Sequence, residues 1–240
     1  MANNYELPER AKNIYSELKE KSFGIKDIKK IDENNVRQLR YWISLGMLNG
    51  NESANAGELQ DNSGWDKFNF YEFIWILIIR QLKEMNFDNS IISKSANEIF
   101  SRKDPKYKML LFEKAVLFAL TNRTDVFFVI NKQGEFDVYR PEDLIKIAEK
   151  KEFSPHVLIN LLPLMKGFLL LKDFRNYIVG KKLLKENETK TLELLSNDPK
   201  TEAKLILDGK ESIMRAGENG IKDFIEMIFT RDYKKIIIQL

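Results

Sequence analysis

From Asn34 to Trp42 the chain carries Arg37 and Arg40 and no acidic residue, within a protein whose charges otherwise nearly balance. Val36, Leu39 and Ile43 recur there at helical spacing. The stretch is therefore predicted to be a helix with those three side chains inward and Arg37, Gln38, Arg40 and Tyr41 on or beside the outer face. Trp42 lies nearer the inward stripe and reads as core. Asn35 suits an N-cap position, and Gly46 suits the left-handed residue that closes a helix. Just upstream, Ile25, Ile28 and Ile31 recur every third residue, giving one apolar stripe on a helix of about two turns. Asp32, Glu33, Asn34 and Asn35 then make a polar turn. Two short helices joined tightly, the second cationic and aromatic on its outer side, form the sequence pattern of a helix-turn-helix.

The flanks extend the pattern. Residues 5–21 place Ala11, Ile14, Tyr15 and Leu18 at helical spacing, which predicts a lead-in helix. Residues 49–64 are rich in Gly, Asn and Ser and read as loop. WDKFNF, Trp65 to Phe70, alternates aromatic and polar residues as a short strand does, with Trp65 and Phe68 as its packing side chains. YEFIWILIIRQLKEMNF follows as a helix apolar around almost its whole circumference, so it must be central or covered by partners. Asn69 is placed to cap it, and Asp88 or Asn89 to open the next helix, SIISKSANEIF.

In the order of these parts, Phe23 to Phe100 resembles the mercury-resistance regulator (MerR) type of winged helix-turn-helix. Arg40-Tyr41-Trp42 followed by Gly46-Met47-Leu48 looks like the family's recognition-helix pattern. The loop ending in GWDKFNF looks like its wing. Leu82-Lys83-Glu84-Met85-Asn86-Phe87 looks like its turn between third and fourth helices, with Asn86 where the family has Gly; Asn also accepts the left-handed conformation. The resemblance implies a DNA-binding domain, a long dimerising helix near residues 107–122, and DNA bent or untwisted on activation. By pattern alone, MLLFEKAVLFALTNR reads equally well as an ordinary core helix.

Beyond this span the texture changes. Asp125 to Tyr139 reads as a hairpin turning at Lys132-Gln133-Gly134, and PEDLIKIAEK as a helix with Pro141 in its first turn. A leucine-rich run follows from His156, which is expected near a helix start in a capping or packing role. AKLILDGKESIMRA reads as a second hairpin turning at Asp208-Gly209, GIKDFIEMIF as a helix and YKKIIIQL as a last strand. The expected fold is α+β. An N-terminal winged helix-turn-helix of mainly helices spans residues 1–104. A C-terminal α+β module with two hairpins, serving dimerisation, an effector or a partner, spans 105–240.

Composition narrows the function. The chain has no cysteine and a single histidine, His156, so thiolate and His-cluster metal sites are not expected. No Gly-x-Ser-x-Gly, phosphate-binding Gly-rich loop or His pair occurs, so the chain does not read as an enzyme, and no cofactor is expected. The run Val157–Leu171 is too short to span a bilayer and contains Pro163 and Lys166. With no signal-peptide pattern at the start, a cytoplasmic protein is expected. Residues 1–104 hold 15 Lys and Arg against 16 Asp and Glu; the remainder holds 24 against 20. Binding to a polyanion therefore requires cations gathered on one face, not a basic domain.

The expected activity is that of a transcription regulator binding double-stranded DNA as a homodimer on a roughly palindromic operator, with a small-molecule or protein effector at the C-terminal domain. The candidate DNA-binding residues are Lys26, Asn35, Arg37, Gln38, Arg40, Tyr41 and Lys67. Arg37 and Arg40 suit phosphate or guanine; Tyr41 suits phosphate or a thymine methyl; Gln38 and Asn35 suit a base edge. Lys26 and Lys67 suit flanking phosphates. Two alternatives carry different tests: a protein-interaction or assembly factor on a winged-helix fold that does not read DNA, and a mobile-element factor that bends it.

Overall fold

The structure is a computed structural model that describes residues 6–9, 11–24, 27, 36–48, 67–149, 156–207, 210–230, 233 and 235–239. It mixes helix with antiparallel sheet, as an α+β chain does, and divides into compact units of residues 1–164 and 165–240. Among the described residues, no helix is long and apolar enough to cross a membrane.

The first unit is built around α3 (Phe70–Glu84), in which ten of fifteen residues are buried. Its start is set by Asn69, whose side chain accepts the N–H groups of Tyr71 and Glu72, while Glu72 accepts the N–H of Asn69 in return. This reciprocal pairing satisfies three donors that a bare helix start would leave open. Burial raises the Glu72 carboxyl above its ordinary range, and the Asn69 N–H only partly offsets it.

Helix α1 (Ala11–Glu20) lies against α3, burying Ala11, Ile14 and Leu18 and setting the Tyr15 ring 5.6 Å from Tyr71. Two-residue strands β1 (Ser22–Phe23) and β2 (Phe68–Asn69) pair antiparallel, and Phe23 packs on Phe70 and Phe73. Helices α2 (Val36–Ser44) and α4 (Asn89–Ile99) complete this part. The first of the two expected short helices falls, apart from Asp27, outside the described residues. So do Trp65 and Asp66 of the expected wing.

The sequence divides at residue 104 in expectation; the fold does not divide there. Helix α5 (Leu111–Asn122) packs against α1 and α3, and the Trp75 ring meets Phe112 at 6.3 Å and Phe128 at 5.9 Å. Phe128 belongs to β3 (Phe127–Asn131), the centre of a sheet ordered β4-β3-β5, with β4 (Phe136–Tyr139) and β5 (His156–Asn160) as its edges. Each fully buried aromatic of this kind contributes about 1.5–3 kcal/mol, so the hairpin belongs to the same core as the helices before it. Hydrogen bonds cross the expected boundary as well: Ser95 Oγ donates to Gly134 O at 2.8 Å, and Arg102 Nη1 to Phe136 O at 2.8 Å.

One open expectation narrows and another changes. Ten of the twelve residues of α5 are buried, so of its two equally open readings the core helix is the one this burial favours. His156 begins a strand, not a helix. Ile159 is buried while Leu158 is 42% exposed, a period of two, and β5 pairs with β3 along its whole length. Helix α6 (Pro141–Glu149) precedes it, starting on Pro141 as expected, and the four-residue α7 (Leu161–Leu164) follows.

The second unit opens with a 3-10 turn at Lys166–Leu170 and α8 (Lys172–Gly180), where the Phe168 and Phe174 rings meet at 5.3 Å. Helices α9 (Glu186–Asn197) and α10 (Glu218–Thr230) pack together and against a sheet ordered β7-β6-β8. Its strands are β6 (Glu202–Leu207), β7 (Lys210–Arg215) and β8 (Lys235–Gln239). The expected Asp208-Gly209 turn lies outside the described residues.

Both units thus contain helix, hairpin, helix, strand in that order, with the first strand central and both neighbours antiparallel. Register agrees too: Phe127 faces Tyr139 and Asn160, and Glu202 faces Arg215 and Gln239. This is a repeat of topology that the residue identities conceal.

Candidate nucleic-acid interface

Helix α2 contains two arginines and no acidic residue. Leu39 and Trp42 are buried and Ile43 is half-buried, while Arg37, Gln38, Arg40, Tyr41 and Ser44 are exposed. At 100° per residue, Arg37, Arg40, Tyr41 and Ser44 lie on one outer face, with Gln38 on its flank. Tyr41 is 52% exposed.

The inner side of α2 is held at its C-terminal end. Gly46 takes φ +68°. Its N–H donates to Ile43 O, and the Met47 N–H donates to Trp42 O. That pair of bonds is a Schellman closure, and the two side chains that flank it, Trp42 and Met47, are both buried. The carbonyls beyond it are taken up by neighbouring helices. Trp75 Nε1 donates to Met47 O at 2.7 Å, and Ser93 Oγ to Leu45 O at 2.8 Å. Asn89 Nδ2 donates to the Tyr41 hydroxyl at 3.1 Å, and Asn89 Oδ1 accepts Lys83 Nζ at 2.8 Å. One helix face is therefore presented outward while α3 and α4 fix the helix from behind.

The turn that positions Asn89 repeats the same device. Asn86 has φ +61°, its N–H donates to Lys83 O, and Phe87 N–H donates to Leu82 O. Asn thus occupies the left-handed position expected of it, so α4 begins at a set angle to α3.

Of the expected DNA-binding residues, Arg37, Gln38, Arg40 and Tyr41 share the α2 surface. Lys67 is exposed and immediately precedes β2, which is paired to β1. Lys26 and Asn35 lie outside the described residues. Sequence reading does not single out Asn89, Ser93 or Trp75 as supports of α2. Their partners lie 28 to 48 residues away, so no local pattern marks them. Among the described residues no group of three or more His, Asp or Glu is placed to hold a metal ion. No family model, curated protein or solved structure matches this chain.

Proposed function

We propose that this protein is a DNA-binding transcription regulator, acting as a homodimer on a roughly palindromic operator, with α2 entering the major groove. The observation that carries the reading is the α2 surface: Arg37, Arg40 and Tyr41 on one exposed face, no carboxylate on the helix, and a buried, hydrogen-bonded inner side. A groove-reading helix needs both properties. Cationic donors recognise phosphate and guanine edges, and a fixed backbone keeps them in register with the base pairs. The order of α2, a strand before α3, the Asn86 turn and α4 supports the MerR-type reading. Lys67 beside β2 is then a wing contact to phosphate. On this reading the dimer seam lies elsewhere than α5.

A gel-shift titration across salt concentration tests the proposal. The wild-type chain is expected to bind a selected duplex with affinity falling steeply as salt rises. An Arg37→Ala, Arg40→Ala double substitution is expected to weaken binding and to reduce the salt slope by up to about 2, one phosphate contact each. Binding unaltered by the double substitution would remove α2 from the interface. The near-neutral charge of residues 1–104 favours a second reading, a protein-interaction factor on the same fold. That reading predicts no salt-dependent DNA binding at all.

A further inference from the structure

A cleft of about 530 Å³ opens between the C-terminal end of α4 and the outer face of the β4-β3-β5 sheet. Glu98 and Arg102 line it from the helix side, and Glu135, Asp137, Tyr139 and His156 from the sheet side. The pleat explains the second group. Along β3, Val129 and Asn131 share the face opposite Phe128 and Ile130, and Asp137 and His156 stand opposite those two on the neighbouring strands; Val129 is itself buried.

Charge in the cleft is unbalanced. The Arg102 guanidinium lies 3.7 Å from Asp137 Oδ1, donates to Phe136 O, and sits 5.6 Å from the Phe136 ring centre. The Tyr139 hydroxyl donates to Asp137 Oδ2 at 3.0 Å. Asp137 and Arg102 therefore answer one another. Glu135 accepts a neutral amide N–H from Asn131 at 2.8 Å, and neither Glu98 nor Glu135 has a cation partner among the described residues. Two uncompensated carboxylates thus face a cavity with an aromatic and aliphatic wall, of a size that suits a small organic ligand. An anion entering there meets both carboxylates, and Arg102, one of the two basic side chains in the lining beside His156, is already engaged with Asp137.

We propose that this cleft binds a small organic cation: an ammonium or guanidinium group, paired with Glu98 and Glu135, on an apolar or aromatic body packed against Tyr139 and Val129. Helix α4 joins the cleft to α2, since Asn89 and Ser93 at its other end hold Tyr41 and Leu45. That the ligand regulates DNA binding through α4 rests on the function proposed above; the binding site itself does not.

Titration calorimetry of the full chain without DNA tests the site and leaves the DNA reading to the gel shift. Benzyltrimethylammonium chloride is the probe. Sodium benzoate offers a similar ring with opposite charge, and sodium chloride controls for ionic strength. The cation is expected to give saturable heat and benzoate none. Glu98→Gln with Glu135→Gln is expected to lower cation affinity roughly tenfold or more, with the melting temperature retained. Should that double variant melt early, Glu135→Gln alone, on an exposed side chain, is expected to lower affinity about threefold. Absence of saturable heat up to roughly 10 mM cation, equal binding of benzoate, or undiminished affinity in the folded variants would overturn the proposal.

Discussion

Asp104 is the last residue of the expected N-terminal domain yet lies inside the first compact unit, and replacing it tests how that unit is held together. Its Oδ2 accepts Lys114 Nζ at 2.7 Å, and both side chains are under 10% exposed. Its Oδ1 accepts the N–H groups of Lys106 and Tyr107, each at 2.9 Å, and Lys114 Nζ lies 5.0 Å from the Tyr107 ring centre. Asp104→Ala strips a buried ammonium of its carboxylate, a change that costs about 3–5 kcal/mol. That is a third or more of the roughly 5–15 kcal/mol that stabilises a domain. Asp104→Asn combined with Lys114→Met removes both charges and keeps an acceptor for the two N–H groups, so it is expected to cost only about 1 kcal/mol. All three tryptophans, Trp42, Trp65 and Trp75, belong to residues 1–164, so urea unfolding followed by tryptophan fluorescence reports this unit alone. A loss below about 1 kcal/mol for Asp104→Ala, or a double variant no better than the single one, would refute the reasoning. The pH dependence has a definite sign. Burial raises the Asp104 carboxyl, but Lys114 and the two N–H groups outweigh it and hold it below the ordinary value. Its contribution is therefore full above about pH 4, the unfolded value, and fades as pH falls through the lower folded one. The stability gap between wild type and Asp104→Ala should narrow in acid.

Two other substitutions probe each unit separately. At Gly220 a Cβ would fall 1.7 Å from the carbonyl oxygen of Arg215, so Gly220→Ala must push α10 off the end of β7. A loss of about 3 kcal/mol is expected in residues 165–240, read from far-ultraviolet thermal melts, and a neutral result would contradict the close approach. Burial first, then the Asp137 carboxylate, pushes the Tyr139 hydroxyl up to about 12. The difference in phenolate absorbance between wild type and Tyr139→Phe should therefore step near pH 12; a step near 10, the ordinary value, would dismiss the burial of the hydroxyl together with its Asp137 contact. Because the folded value lies above the unfolded one, this group's stabilisation is whole below about pH 10 and is lost as pH rises through 12.

Local patterns were legible wherever one residue's neighbours in sequence decided its state. The apolar repeat 36–39–43 and Gly46 located α2 and its end, Asn69 located the start of α3, and the turn residues between apolar runs located both hairpins. The leucine-rich run after His156 misled because an unbroken apolar stretch suits a buried helix and a buried strand alike. Pairing to β3 decides in favour of strand. The boundary expected after Asp104 misled for a related reason. Asp104 reads as solvated until Lys114, ten residues on, is folded against it. In the candidate interface, the outward residues of α2 were visible by helical periodicity. Its supports, Asn89, Ser93 and Trp75, were not, because their bonds join distant segments.

By itself the sequence determined periodicities, caps and turns, and hence the elements and the outward cationic face of α2. Each follows from sterics and burial within a few residues. Only tertiary structure decided that the first compact unit runs to Leu164, that α5 is core, that the two units share one strand order, and that Glu98 and Arg102 meet Glu135, Asp137 and Tyr139 across a cleft. Those outcomes depend on which apolar faces bury one another and on charges brought together across the chain, and neither quantity is written in any short stretch of residues.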